Sequence, residues 1–217
     1  MIDISLNGKR GKSLEVLCLG CHSDDIEIGC GGTILRIAEQ YPGSIFHWVV
    51  FSAIGERKDE ARRGASLFTV SATLSGPTLK EFRDGFMPFV GAEIKEVFEG
   101  LKNQVEPDLV LTHFGNDSHQ DHRLVSELTW NTFRNHLVLE YEIPKYDGDL
   151  SQPNFYVPLA DGISQKKVRY LMEVFKSQQS KRWFEESTFL GLMRIRGMEC
   201  NAQSGYAEAF HCRKVVL

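Results

Sequence analysis

The chain has 217 residues, of which 42% are hydrophobic and 25% charged, with a formal net charge of −4. That composition excludes a disordered, collagen-like or strongly basic nucleic-acid-binding chain, and the length is enough to bury a full core. No apolar run approaches the ~20 residues of a membrane span. Residues 1–13, MIDISLNGKRGKS, lack the apolar stretch of an export signal. Five cysteines in such a chain point to reduced thiols rather than a disulfide framework. The expectation is one cytoplasmic domain over 1–217, an enzyme or a small-molecule binder.

In chain order, LEVLCLGC at 14–21 is a nearly unbroken apolar run, the pattern of a strand buried on both faces. It stops at His22-Ser23-Asp24-Asp25. The Gly-rich stretch Gly29-Cys30-Gly31-Gly32-Thr33 then opens a helical pattern to about Tyr41, ended by Pro42-Gly43. Ile45 to Phe51 reads as a second strand and 57–68 as a charged-faced helix. A helix over 91–105 leads through Glu106-Pro107-Asp108 into the strand Leu109-Val110-Leu111. Alternating strands and helices predict an α/β, Rossmann-like fold with a mainly parallel sheet covered by helices on both faces. Leu137 to Ile143 reads as a further strand, 144–162 as a long loop on the substrate side, and 164–177 as a helix. Residues 206–210 are short and semi-apolar, and the segment 181–196 with Trp183, like Trp130, suits either core or the interface of a homo-oligomer.

Two polar clusters follow buried strands. One is His22-Ser23-Asp24-Asp25 and the other His119-Gln120-Asp121-His122. In an open α/β sheet, ligands bind beyond the carboxyl ends of the strands, so both clusters fall on one functional edge. Two neutral imidazoles and a carboxylate with an open coordination position commonly hold a catalytic zinc, and H-x-x-D suits a turn in which both side chains face one ion. A further carboxylate is placed to take a proton from water, and a further histidine to stabilise a tetrahedral species. The plainer readings are that Asp24 and Asp25 cap the following helix and that His119 and His122 are ordinary loop residues. The Gly-rich stretch also suggests a phosphate-cradling turn, but it has neither G-x-G-x-x-G nor a P-loop lysine.

Cys21-His22-Ser23-Asp24-Asp25-Ile26-Glu27-Ile28-Gly29-Cys30-Gly31-Gly32-Thr33 resembles the A-H-P-D-D-x-E-x-G-C-G-G-T signature of the PIG-L/LmbE-like deacetylases. His119-Gln120-Asp121-His122-Arg123 is similar to that family's H-P-D-H-R motif, and Tyr206 to Phe210 to its Y-A-E-A-F ending. The resemblance implies a zinc-dependent de-N-acetylase of Rossmann-like fold acting on a small N-acetylated amino sugar or its conjugate. It implies His22, Asp25 and His122 as metal ligands, Asp24 as general base toward metal-activated water, His119 as oxyanion stabiliser or proton donor, and Asp121 as its tuning partner. Arg57 and Asp84 would hold sugar hydroxyls. Zinc is the default ion, and the same donors also accept iron(II) or another divalent metal. Cys21, Ser23 and Gln120 depart from the family's Ala, Pro and Pro. They remove no expected ligand, but Cys21 sets a soft sulfur beside the motif.

Three rival readings compete. Cys18-Leu19-Gly20-Cys21-His22 spells the C-x-x-C-H of c-type haem attachment, but on a buried strand the two cysteines face opposite sides. His119 and Asp121 with a distal His211 could imitate the facial triad of an iron(II) oxygenase. A non-catalytic sugar-binding module would leave Asp24 and Asp25 without a purpose.

Overall fold

A computed structural model describes Leu6 and residues 13–216, so most of the stretch read above for an export signal lies outside the described residues. The helical and extended segments alternate as β1 (Glu15–His22), α1 (Asp25–Gln40), β2 (Ile45–Ser52), α2 (Glu56–Phe68), β3 (Thr73–Leu74) and β4 (Thr78–Leu79). A short 3-10 turn, Met87–Val90, leads into α3 (Gly91–Gln104), β5 (Leu109–His113), α4 (Gln120–Thr132) and β6 (Leu137–Tyr141). The chain closes with β7 (Phe155–Pro158), α5 (Ile163–Val174), α6 (Glu186–Glu199) and β8 (Ala207–His211).

The strands form one sheet in the order β3-β2-β1-β5-β6-β8-β7, with β4 also paired to β2. From β3 to β6 the pairing is parallel, and β8 joins both β6 and β7 antiparallel. Every residue of β1 is buried, because a central parallel strand has helices over both faces. Alternation along it divides the core. Val16 and Cys18 pack into the cluster that includes side chains of α1, α2, α5 and α6, while Leu17, Leu19 and Cys21 pack into the one beneath α3 and α4. Cys18 and Cys21 therefore lie fully buried on opposite faces, and a single haem cannot bridge them.

The fold expectation holds, and several boundaries change. The helix expected to open at the Gly-rich stretch begins earlier, at Asp25, and bends at Cys30, whose φ of −142° is not helical. The glycines therefore lie inside α1 and serve close packing rather than a phosphate. A Cβ at Gly29 would overlap the Tyr141 ring, and one at Gly31 the Phe68 ring. Helices α4 and α6 go beyond the sequence expectation; α6 buries Phe189 and Met193. Within the expected 144–162 loop, Phe155–Pro158 forms the outermost strand through its pairing with β8. Those four residues of the segment belong to the sheet.

Candidate metal and catalytic site

Strand β1 sends the chain to β2 on one side, and β5 lies on the other. The crevice at their carboxyl ends is thus a topological switch point, where open α/β sheets bind ligands. His22 is the last residue of β1 and His113 the last of β5. After His22 the chain turns through Ser23 and Asp24 straight into α1, and the His22 amide donates to Asp25 Oδ2 at 2.7 Å. His119 occupies the N-cap of α4 and places His122 in its first turn.

Three donor atoms from these elements form a nearly equilateral triangle. His22 Nδ1 is 3.3 Å from Asp25 Oδ2 and 3.3 Å from His122 Nε2, and His122 Nε2 is 3.5 Å from Asp25 Oδ2. A tetrahedral ion about 2.0–2.1 Å from each ligand spaces its ligand atoms about 3.3–3.4 Å apart. The donors therefore fit a divalent metal in both chemistry and spacing. All three residues are buried. Burial alone would favour the neutral Asp25 acid, but His122, His22 and His113 hold its carboxyl well below the usual range. His122 is pushed down to about 4 by burial and by His113, which leaves its imidazole neutral as a ligand must be.

Around the triangle, other groups fix the orientation of the ligands. His122 Nδ1 meets Asp117 Oδ2 at 3.0 Å, and Lys145 Nζ lies 3.0 Å from the same oxygen. A carboxylate on the far nitrogen of a ligand histidine sets its tautomer and raises its basicity. Burial opposes the Asp117 charge, yet His122 holds that carboxyl well below its ordinary range. His22 Nε2 lies 3.0 Å from Asp84 Oδ1 and 3.5 Å from Asp121 Oδ2, close enough for charge attraction but without hydrogen-bond alignment. The contact with His22 holds the partly exposed Asp84 at about 2.

Asp24 and Arg57 form an ion pair, Nη2 to Oδ1 at 2.6 Å. Asp24 stands at the N-cap of α1 but makes no side-chain capping bond, so capping does not account for it. Burial raises its pKa, and Arg57 acts in the opposite sense.

The structure thus gathers His22, Asp24, Asp25, Arg57, Asp84, His119, Asp121 and His122 at the carboxyl ends of the strands, with connections beyond those expected for Arg57 and Asp121. Arg57 was expected on sugar hydroxyls, yet its guanidinium is engaged by Asp24. Asp121 was expected to act on His119. The charge of its carboxylate does favour protonated His119, and the same carboxylate accepts the Gly85 and Met87 amides at 2.7 and 3.1 Å, tying down the loop that carries Asp84. The Asp121 backbone amide also donates to His119 Nδ1 at 3.3 Å.

Other contributors were missed in the sequence. His113 stacks on His122 with ring centroids 3.9 Å apart and brings Nε2 to 3.2 Å from Asp25 Oδ2. Its signal was the apolar run of β5, which continues through Thr112 past the predicted end. Asp117 and Lys145 carried no motif signal, although Lys145 opens the segment expected to border the site. His211 belongs to no cluster of candidate ligands among the described residues; its ring stacks on Phe114 at 3.8 Å. The facial-triad reading fails on that placement. A surface hollow of about 980 Å³ is lined by Lys102, Asn103, Asn135 and His136 at the opposite end of the sheet, and none of the site residues lines it.

A doubly covered α/β sheet with histidines and aspartates clustered at its switch point forms a polar crevice whose donors could hold a metal ion. Residues 17–133 match the family model described as PIG-L, GlcNAc-PI de-N-acetylase, and the chain belongs to this family of deacetylases. It is 27% identical to the uncharacterized deacetylase YaiS of Escherichia coli strain K12 over 157 residues, which is 66% of this chain and 82% of that protein. Its fold is similar to N,N'-diacetylchitobiose deacetylase from Pyrococcus horikoshii, with a TM-score of 0.66, 20% identity and coverage of 92% of this chain and 84% of that one. It is also similar to the conserved protein TT1542 from Thermus thermophilus, with a TM-score of 0.71, 21% identity and coverage of 94% and 96%.

Proposed function

We propose that the chain is a metal-dependent amidohydrolase that removes the acetyl group from a small N-acetylated amino sugar or sugar conjugate. The observation that carries this reading is the triangle of His22 Nδ1, Asp25 Oδ2 and His122 Nε2 beside the buried Asp24 carboxylate. Three protein donors leave one coordination position open, which separates a catalytic site from a closed structural one. A non-catalytic sugar-binding module has no need of so many buried charges, since their desolvation is costly. The amino-sugar class is supported by the family description and by the chitobiose deacetylase neighbour.

His22, Asp25 and His122 would hold the ion, with zinc the default and iron(II) or another divalent metal also suited to these donors. When bound, the ion supplies Lewis acidity and brings the pKa of water toward ~7. Asp24 accepts the proton of the attacking water; burial raises its pKa, which suits a proton acceptor, and Arg57 opposes that rise. His119 Nδ1 accepts the Asp121 amide, so its proton sits on Nε2. Burial and the nearby His22 push His119 below its ordinary pKa, so it is neutral. A neutral imidazole carrying Nε2–H can donate a hydrogen bond to the developing oxyanion, and the proton that Asp24 takes from water is the one delivered to the departing nitrogen. Asp121 orients the Asp84 loop, and Asp84, with its side chain 58% exposed, remains the candidate for sugar hydroxyls.

The chain acts, in this reading, as one catalytic domain over 1–217 in the cytoplasm, without nucleic-acid partners. The five unpaired cysteines support a reducing compartment, and no helix among the described residues is long and apolar enough to cross a membrane. The test is acetate release from a panel of N-acetylated amino sugars and sugar nucleotides by metal-stripped protein reloaded with single defined metals. Metal-dependent acetate release supports the reading, and a metal-loaded protein that releases none from any member overturns it.

A further inference from the structure

Cys21 stands immediately before the first histidine, where the resembling signature has alanine. A buried cysteine surrounded only by apolar side chains is an inert hydrophobe. Cys21 is different: Leu17 and Leu19 share its core cluster, yet its sulfur faces the polar site. Its Sγ and one ligand atom each from Asp25, His113 and His122 all lie within 4.8 Å of one another, and all four residues are buried. Asp25 Oδ2 is already 3.2 Å from His113 Nε2 and 3.5 Å from His122 Nε2. His22 is not a member of this group.

We propose that Cys21, Asp25, His113 and His122 form a second, inner position for a thiophilic divalent cation, separate from the open triangle of His22, Asp25 and His122. The proposal rests on the triangle reading only through the two shared residues. One thiolate, one carboxylate and two imidazoles complete a tetrahedral set, so an ion held there has four protein ligands and no position for water. That is the chemistry of a closed zinc site rather than a catalytic one. Because Asp25 and His122 serve both positions, one ion occupies one of them at a time. The thiolate favours softer ions such as cadmium, zinc is borderline and suited to either position, and harder ions favour the all-nitrogen-and-oxygen triangle. The chain thereby carries an inactive resting place for a soft metal beside the active one.

Occupation of the inner position is a proton exchange with no redox step. The Cys21 thiol releases its proton to solvent as sulfur binds the ion. His113 Nε2 gives up the hydrogen bond it accepts from the Cys21 amide at 2.9 Å and turns its lone pair to the metal. The Tyr141 hydroxyl keeps its bond to the Leu19 carbonyl at 2.6 Å.

The test is a titration of the metal-stripped full chain with Cd²⁺ alone, followed by the ultraviolet thiolate-to-cadmium charge-transfer absorption. The wild type should gain this absorption up to one equivalent. Cys21→Ala should lose it while still binding Cd²⁺ at the triangle, and His22→Ala should keep it. Cys21→Ser, nearly isosteric, repeats the measurement should alanine disturb folding, as judged by circular dichroism. Cadmium binding to the wild type without the absorption overturns the inner position and leaves the triangle standing. Absorption that persists in Cys21→Ala also overturns it, because another cysteine is then the ligand. A wild type that binds neither Cd²⁺ nor Zn²⁺ overturns both positions together.

Discussion

Arg57 Nη2 lies 2.6 Å from Asp24 Oδ1, and the carboxylate it holds is the one beside the metal triangle. Burial raises the Asp24 pKa while Arg57 lowers it, so the pair decides at which pH the candidate base is ionised. A base works only as the carboxylate, and its rate falls as pH drops through its pKa. Replacing Arg57 by methionine removes the lowering influence, so the acidic limb of the pH–rate profile should move to higher pH, by about one unit or more. Arg57→Lys should restore part of the shift. The measurement is kcat/KM against pH, and an unmoved limb with a raised KM would return Arg57 to a purely substrate-binding role.

Asp24→Asn separates a base from a ligand. The amide keeps the size and removes proton acceptance, so kcat should fall roughly 10²–10⁴-fold while bound metal per chain stays at the wild-type level. Elemental analysis beside the assay distinguishes the two roles. Metal lost along with activity would make Asp24 a ligand.

Asp117 acts one step behind the ion. Its Oδ2 holds His122 Nδ1 at 3.0 Å, which fixes the ring that points Nε2 into the triangle. Asp117→Asn should weaken metal binding roughly 10–100-fold, the usual cost of losing a carboxylate behind a ligand histidine. A competition titration with a chelator reads this directly. His122→Ala should abolish binding, and an Asp117→Asn affinity equal to wild type would show that the imidazole is held by its stacking on His113 alone.

What the sequence made legible was local. The run at 14–21 announced a buried central strand because each residue of that strand is covered on both faces, and the polar residues that break it are those the fold delivers to the sheet edge. His119 and His122 were readable because they share one helix start. Long-range partners were not. Asp121 was readable as a neighbour of His119, but not as the acceptor of the Gly85 and Met87 amides, which no spacing rule connects to it. His113 went unread because the apolar run ends at Leu111, two residues before the strand does. Residues 155–158 resemble loop because their ordering comes from pairing with β8, more than forty residues downstream. The bend at Cys30 was equally hidden, since its stabilising groups lie in α5 and β8.

That bend supports the last prediction. Glu208 accepts the Gly32 and Thr33 amides at 2.8 and 2.6 Å, and Lys167, 2.6 Å from Glu208, donates to the Ile28 carbonyl. The pair grips α1 on both sides of the bend and gives hydrogen-bond partners to backbone groups flanking the non-helical Cys30. Lys167 and Glu208 are each only 3% exposed, so removing one partner strands a buried charge. Lys167→Met should lower stability by about 3–5 kcal/mol, measured by denaturant unfolding. Asp25 begins the same helix ahead of the bend, so metal affinity should fall in the variant even at temperatures where it remains folded. Full stability in Lys167→Met would mean that Glu208 is held by the two amides alone, and the lysine would then have no part in setting the helix that carries the ligand.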